Sequence, residues 1–238
     1  VVASAESNES KESISSKSAT ALVLTTGFAT LFLENNPRIM NQVRLLMNLK
    51  LGNNKGYKMN VLSLFDGMSC CHLALDKVGI EVDNYYASEI DKYAITITNK
   101  NYPSTIQMGD VAQWRDWDID WSSIDLVTGG FPCQAWSVAG KQLGDKDERG
   151  KLFWTMLDIM KNVLWHNPQA KFLMENVKMK QEFEQYITYH TEQALGKVNK
   201  ILINSSLVSA QNRQRYYWTN IDGIEQPDDK GLTIKNIR

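Results

Sequence analysis

The sequence predicts an α/β fold built on a doubly wound, mostly parallel sheet. Short apolar runs of strand length alternate with segments of helical period along most of the chain, the pattern that parallel strands with crossover helices require. One run, "VLSLFDGMSC", passes through a glycine turn into a helix, the place where such sheets hold a nucleotide-like ligand. Two others, "IDLVTGG" and "KFLMENV", deliver a cysteine and a carboxylate to the carboxyl edge of the sheet.

Taken in order, residues 1–19 are rich in Ser, Glu and Lys and poor in large apolar side chains, so they predict a disordered tail. Residues 20–58 predict a helical extension and linker. Its apolar positions are Leu22, Phe28, Leu31, Leu33, Ile39, Val43, Leu46 and Met47, with a break near "ENNP" and a linker at "GNNKG". Residues 59–238 read as the main domain. "NVLSLF" is a strand, "DGMSCCHLALDKVG" a turn and helix, "VDNYYASEI" a strand, and "DKYAITITNKNY" a helix. "IQMGDV" and "IDLVTGG" follow as strands, then helix "KLFWTMLDIMKNVLWHN", strand "KFLMENV", a helix from about Lys180 to Leu195, and strand "KILINSSLVSA". No internal repeat is visible.

Composition narrows the class. The 238 residues suffice for one sizeable core. The three cysteines cannot all pair, Cys70 and Cys71 are adjacent, and there is no CxxC spacing. Neither a disulfide framework nor a zinc site is favoured, and a reducing cytoplasm is the expected location. A formal net charge of −1 does not mark a nucleic-acid binder, although a local basic patch suffices for one. The apolar stretch "TALVLTTGFATLFL" is too short to span a bilayer and has no basic leader before it.

The first turn contains Gly67, which lets the backbone approach a ligand, and Glu89 closes the next strand where a carboxylate can accept from ribose hydroxyls. Asp110, in "GDV", is placed for an adenine amino group. The turn is not G-x-G-x-x-G and has no phosphate-cradling Lys-Ser/Thr, which disfavours dinucleotides and triphosphates and leaves an adenosine without phosphates. Cys133 follows Pro132 at the end of a strand, where sites form in open sheets. After it, "AWSVAGKQLGDKDERGK" is polar and glycine-spaced, the composition of a mobile lid. Glu175 reaches the same edge one crossover later. Arg213 and Arg215 share a face if their segment is extended, and two such cations suit phosphate and base oxygens.

The segments "FDGMSC", "ASEIDKYA", "GDV", "GGFPCQAWSVAGKQLGDKDERGKLF", "ENV" and "QNRQRYYW", in that order, resemble the motifs of the cytosine-C5 DNA methyltransferases. The Pro-Cys-Gln loop is closest to the phage and bacterial restriction-modification type. The resemblance implies a Rossmann-like, S-adenosylmethionine-dependent methyltransferase sheet, S-adenosylmethionine as cofactor without a metal, and double-stranded DNA with a flipped cytosine as substrate. It implies that Cys133 adds to cytosine C6, that Glu175 is the acid at N3 and the amino group, and that Arg213 and Arg215 hold the base carbonyl and a phosphate. Phe65, Asp66, Gly67, Met68, Glu89, Ile90, Asp110, Pro132 and Leu152 would line the cofactor. Gln134, Ser137 and Arg149 would belong to the DNA-facing loop. Addition of a thiolate at C6 makes C5 nucleophilic, so Cys133 needs local positive charge, for which the arginines are candidates.

There are departures from the family pattern. Its usual F-x-G-x-G first turn lacks the second glycine here, which implies an altered loop shape rather than lost binding, and Ile90 replaces a frequent tryptophan. Few residues follow Trp218, so the expectation is either a truncated product or a partner chain that supplies target recognition. Two alternatives stand beside the DNA enzyme: a tRNA cytosine-C5 methyltransferase, and a non-catalytic regulatory protein of methyltransferase type.

Overall fold

The structure, a computed structural model, describes residues 58–77, 79–136, 147–233 and 235. The expected tail at 1–19, almost all of the expected extension at 20–58, and residues 137–146 of the expected lid lie outside the described residues.

Seven strands form one sheet: β1 (Met59–Leu64), β2 (Val82–Ser88), β3 (Ile106–Gln107), β4 (Leu126–Gly129), β5 (Lys171–Val177), β6 (Asn199–Asn204) and β7 (Gln214–Thr219). Among the described residues four α-helices accompany them: α1 (Cys70–Lys77), α2 (Lys92–Asn101), α3 (Glu148–His166) and α4 (Gln181–Leu195). The strand order is β3-β2-β1-β4-β5-β7-β6. Every pairing from β3 through β5 is parallel, whereas β7 runs antiparallel to both β5 and β6.

The central strands are buried on both faces, which is why they read as nearly continuous apolar runs. In β1, Met59 and Val61 join a core with Cys71, Ala74 and Leu75 of α1. Leu62 and Leu64 join the opposite core with Phe153, Met156 and Leu157 of α3 and Ile187 of α4. The side-chain period of two sends successive residues to opposite layers, and the result is a helix–sheet–helix sandwich. Gly129 makes β4 fit this packing, because a Cβ there would stand 3.1 Å from Leu64 Cβ and 3.2 Å from the Leu64 carbonyl.

Three differences from the sequence reading have local causes. The third strand is only Ile106–Gln107, because Gly109 turns left-handed (φ 74°) and Asp110 caps a 3-10 turn through Ala112 N. Helix α3 begins at Glu148, inside the stretch read as loop, with Lys151 paired to Glu148 across one turn. The segment around Arg215 is a full strand, inserted antiparallel between β5 and β6.

Candidate active site

Order reverses between β1 and β4, and the cavity opens at their carboxyl ends, as expected for an open α/β sheet. It encloses about 410 Å³ and is lined from both halves of the sheet, with Phe65, Glu89, Ile90 and Asp110 on one side and Cys133, Glu175, Arg213 and Arg215 on the other.

The first half is built on the turn after β1. Phe65 and Gly67 are left-handed, at φ 55° and 61°, and Gly67 is the residue type that tolerates this. Glu89 Oε2 accepts from Gly67 N at 2.8 Å, while its Oε1 accepts from Ile90 N and Asp91 N. Glu89 therefore pins the turn, and its Oε2, with one bond accepted, keeps a lone pair for a ligand hydroxyl. Asp110 Oδ1 is used by Ala112 N at 2.9 Å, and the side chain still lines the cavity. Ile90 is 75% exposed at the rim, and Leu152, Val111 and Pro132 add apolar wall. Apolar faces with carboxylates at the edge suit an adenosine, and the volume lies within the usual range for small-ligand sites. Both arginines of the cavity lie at its other end, so S-adenosylmethionine fits this half better than a phosphorylated nucleotide.

Asp66, Gly67 and Met68 do not line the cavity. Asp66 is buried behind the turn, where it accepts from Ser69 Oγ and from the Tyr85 hydroxyl, and burial pushes its carboxyl above the ordinary aspartate range.

The second half starts where β4 ends. Gly130 lies against Glu175, and a Cβ at that position would stand 2.9 Å from Glu175 Oε2. Pro132 (φ −52°) precedes a single 3-10 turn, Cys133–Ala135, in which Trp136 N donates to the Cys133 carbonyl. Cys133 is half-buried. Asn176, 1% exposed, donates from Nδ2 to the Phe131 carbonyl at 2.9 Å, and its Oδ1 accepts from Val177 N. The strand that carries Glu175 is thereby tied to the loop that carries Cys133.

Strand β7 supplies the cations. Arg215 lies opposite Val177 in the β5 pairing, diagonal to Glu175, and its long side chain spans that offset. Arg215 Nε stands 2.7 Å from Glu175 Oε1. The N–H is not aligned on that oxygen, so the contact is an ion pair in which neither atom makes a well-formed hydrogen bond. Burial pushes the Glu175 carboxyl above the usual range, against the opposing pull of Arg215 and then Arg213. Arg213 is lowered chiefly by burial and next by Arg215, with Cys133 among the groups acting on it, and its Nε has no hydrogen-bond partner.

Of the residues the sequence reading singled out, Phe65, Glu89, Ile90, Asp110, Pro132, Leu152, Cys133, Gln134, Glu175, Arg213 and Arg215 meet in this one cavity. Ser137 lies outside the described residues, as does the side chain of Arg149. Ser88, Val111, Gly130, Phe131, Asn176 and Val177 also line the cavity and were not singled out. Gly130 and Asn176 act by shape and backbone contact, and only their places beside "PCQ" and within "ENV" mark them. Among the described residues no cluster of three or more His, Cys, Asp or Glu could hold a metal, and no helix is long and apolar enough to cross a membrane.

A cysteine and a carboxylate at the rim of a seven-stranded sheet, in one cavity with an apolar half edged by carboxylates, fit the methyltransferase class of α/β folds. Residues 59–233 match the family of C-5 cytosine-specific DNA methylases, and the chain belongs to that family. Type II methyltransferase M.NlaX of Neisseria lactamica is 36% identical over 163 residues, covering 66% of this chain and 50% of its own length. Type II methyltransferase M1.ScrFI of Lactococcus lactis subsp. cremoris is 34% identical over 176 residues, 71% of this chain and 43% of its own. The orphan methyltransferase M.Rho11sI of Bacillus phage rho11s is 33% identical over 171 residues, 67% and 32% respectively. The chain spans half or less of the length of these relatives. A solved DNMT2 structure from Spodoptera frugiperda shares the fold at a TM-score of 0.50 and 21% identity, covering 74% of this chain and 54% of that one.

Proposed function

We propose that this chain transfers a methyl group to C5 of cytosine in double-stranded DNA through a covalent bond between Cys133 and C6, and that residues 59–238 carry the activity. The observation that carries the reading is the meeting of Cys133, Glu175, Arg213 and Arg215 in one cavity with Phe65, Glu89, Ile90 and Asp110.

S-adenosylmethionine, held by Phe65, Glu89, Ile90, Asp110, Pro132 and Leu152, would supply an electrophilic methyl group. The remaining work falls to the chain. Arg213 interacts electrostatically with Cys133 and lines the same cavity. The sulfur lone pair forms the S–C6 bond, ring electrons shift toward N3, and C5 becomes nucleophilic. Once C5 carries the methyl group, loss of the C5 proton to solvent restores the C5–C6 double bond and breaks the S–C6 bond, freeing Cys133. Glu175, its carboxyl raised by burial, is placed to share a proton with N3 as negative charge develops there. Arg215 holds Glu175 in place, and the unpartnered Arg213 Nε is free for a base carbonyl or phosphate oxygen. Asp66, Gly67 and Met68 shape the cofactor turn, and Gln134, Ser137 and Arg149, the last in the first turn of α3, would face DNA. A base inside a duplex must be flipped out to reach a cavity at this depth. A DNA-associated, cytoplasmic location goes with this reading, and a partner chain that contributes target recognition is compatible with it.

The test is mechanism-based trapping. The full chain, incubated with S-adenosylmethionine and a duplex carrying 5-fluorocytosine, is expected to give an adduct stable to denaturation, and Cys133→Ser to give none. Methylation of bulk tRNA in a parallel assay with no reaction on DNA would move the substrate to RNA. Methyl transfer by Cys133→Ser at the wild-type rate would overturn the covalent route.

A further inference from the structure

The turn that carries the cofactor half of the cavity is held in an unfavourable shape by a buried device. Phe65, Gly67 and Ser69 are all left-handed, at φ 55°, 61° and 56°, and only one of them is glycine. In the F-x-G-x-G pattern counted from Phe65, the second glycine position is Ser69. A side chain there is disfavoured by the clash of its Cβ with the following carbonyl, and such geometry persists only where the surroundings over-determine it.

The surroundings of Ser69 do so. Ser69 is fully buried and Asp66 is 8% exposed. Asp66 Oδ2 accepts from Ser69 Oγ, and its Oδ1 accepts from the Tyr85 hydroxyl of β2 at 2.7 Å. With its proton committed to Asp66, Ser69 Oγ accepts from Thr98 Oγ1 of α2 at 3.0 Å, and Thr98 Oγ1 also lies 3.4 Å from the Gly67 carbonyl. Ser69 N donates to the Asp66 carbonyl at 3.3 Å, and the Ser69 carbonyl accepts the first bond of α1, from Leu73 N. From the opposite side Glu89 grips Gly67 N. Asp66 does not line the cavity, and its carboxylate serves Ser69 and Tyr85 together with Ser63 of β1.

We propose that Asp66 is a positioning residue: its buried carboxylate, acting through Ser69 and Tyr85, replaces the conformational freedom that a second glycine would give and so holds the cofactor turn in shape. The link to cofactor affinity rests on the S-adenosylmethionine reading above; the clamp itself does not. Asp66 and Ser69 are then coupled, and glycine at position 69 makes Asp66 dispensable.

The test compares the full chain with Asp66→Ala, Ser69→Gly and the double variant. Amide hydrogen exchange at residues 67–69 and calorimetric binding of S-adenosylhomocysteine are the readouts. Asp66→Ala is expected to speed exchange and weaken binding by about tenfold or more, the scale of one lost charged hydrogen bond in a buried site. The double variant is expected to return to within about threefold of Ser69→Gly, a rescue that general loss of stability cannot give. Should Asp66→Ala fold poorly, Asp66→Asn and Asp66→Asn/Ser69→Gly make the same comparison with the volume kept. Exchange in the double variant as fast as in Asp66→Ala, or unchanged exchange in Asp66→Ala, overturns the clamp. If the wild-type chain binds no S-adenosylhomocysteine, the cofactor reading fails, and exchange alone still decides the clamp.

Discussion

Glu175 shows how one side chain is set for its task by three neighbours. Gly130 leaves room for the carboxylate, Arg215 anchors one oxygen, and burial raises the carboxyl above its ordinary range. The sign follows from the direction of the shift. A carboxyl raised in the folded state favours the fold fully below the ordinary glutamate value, and that contribution is lost as pH rises through the raised value. The protonated form is the one that can donate to N3, so the single-turnover rate of methyl transfer should descend on the alkaline side of the raised Glu175 value. Glu175→Gln is expected to abolish that limb and to slow transfer by about 10²–10⁴-fold, the usual contribution of a positioned acid. A Gln variant that keeps the limb would assign it to another group. That Cys133, Glu175 and both arginines gather in one cavity was legible through the ordered motifs that carry them. Gly130 was not, because its role is the absence of a side chain.

At the scale of elements, the site depends on β4, β5 and β7 keeping their register. Asn176 bonds the Phe131 carbonyl from a 1% exposed position, and so fixes the loop of Cys133 against the strand of Glu175. Asn176→Ala leaves that buried carbonyl without its donor, and the expected loss of stability is about 1–3 kcal/mol. Chemical denaturation measures that loss, and 5-fluorocytosine trapping should slow alongside it because the loop that carries Cys133 loosens. Trapping at the wild-type rate in a destabilised variant would confine Asn176 to folding. The parallel elements were legible because buried strands read as apolar runs that end in glycine. The antiparallel β7 was harder to read, since "QRYYWT" alternates weakly and strand direction leaves no local mark on the residues. The short β3 was over-read because "IQMGDV" looks like a strand until Gly109 turns it.

Across the whole molecule, charge limits how DNA can be held. The chain has 26 basic and 27 acidic residues, a net charge of −1, so no general basic field draws DNA to it. Of the two arginines lining the cavity, Arg215 is engaged with Glu175, which leaves Arg213 for an oxygen of the substrate. The segment "GKQLGDKDERGK" interleaves basic and acidic side chains and adds little net charge. Each phosphate neutralised contributes about −0.9 to the slope of log affinity against log salt, so duplex binding by this chain should show a slope no steeper than about −3. Fluorescence anisotropy with a labelled duplex over a salt series measures it. A steeper slope would mean that a basic surface away from the cavity grips the backbone. A shallow slope with slow, cofactor-dependent trapping would mean that affinity here comes from the flipped base inside the cavity, with Arg213 as its main electrostatic contact.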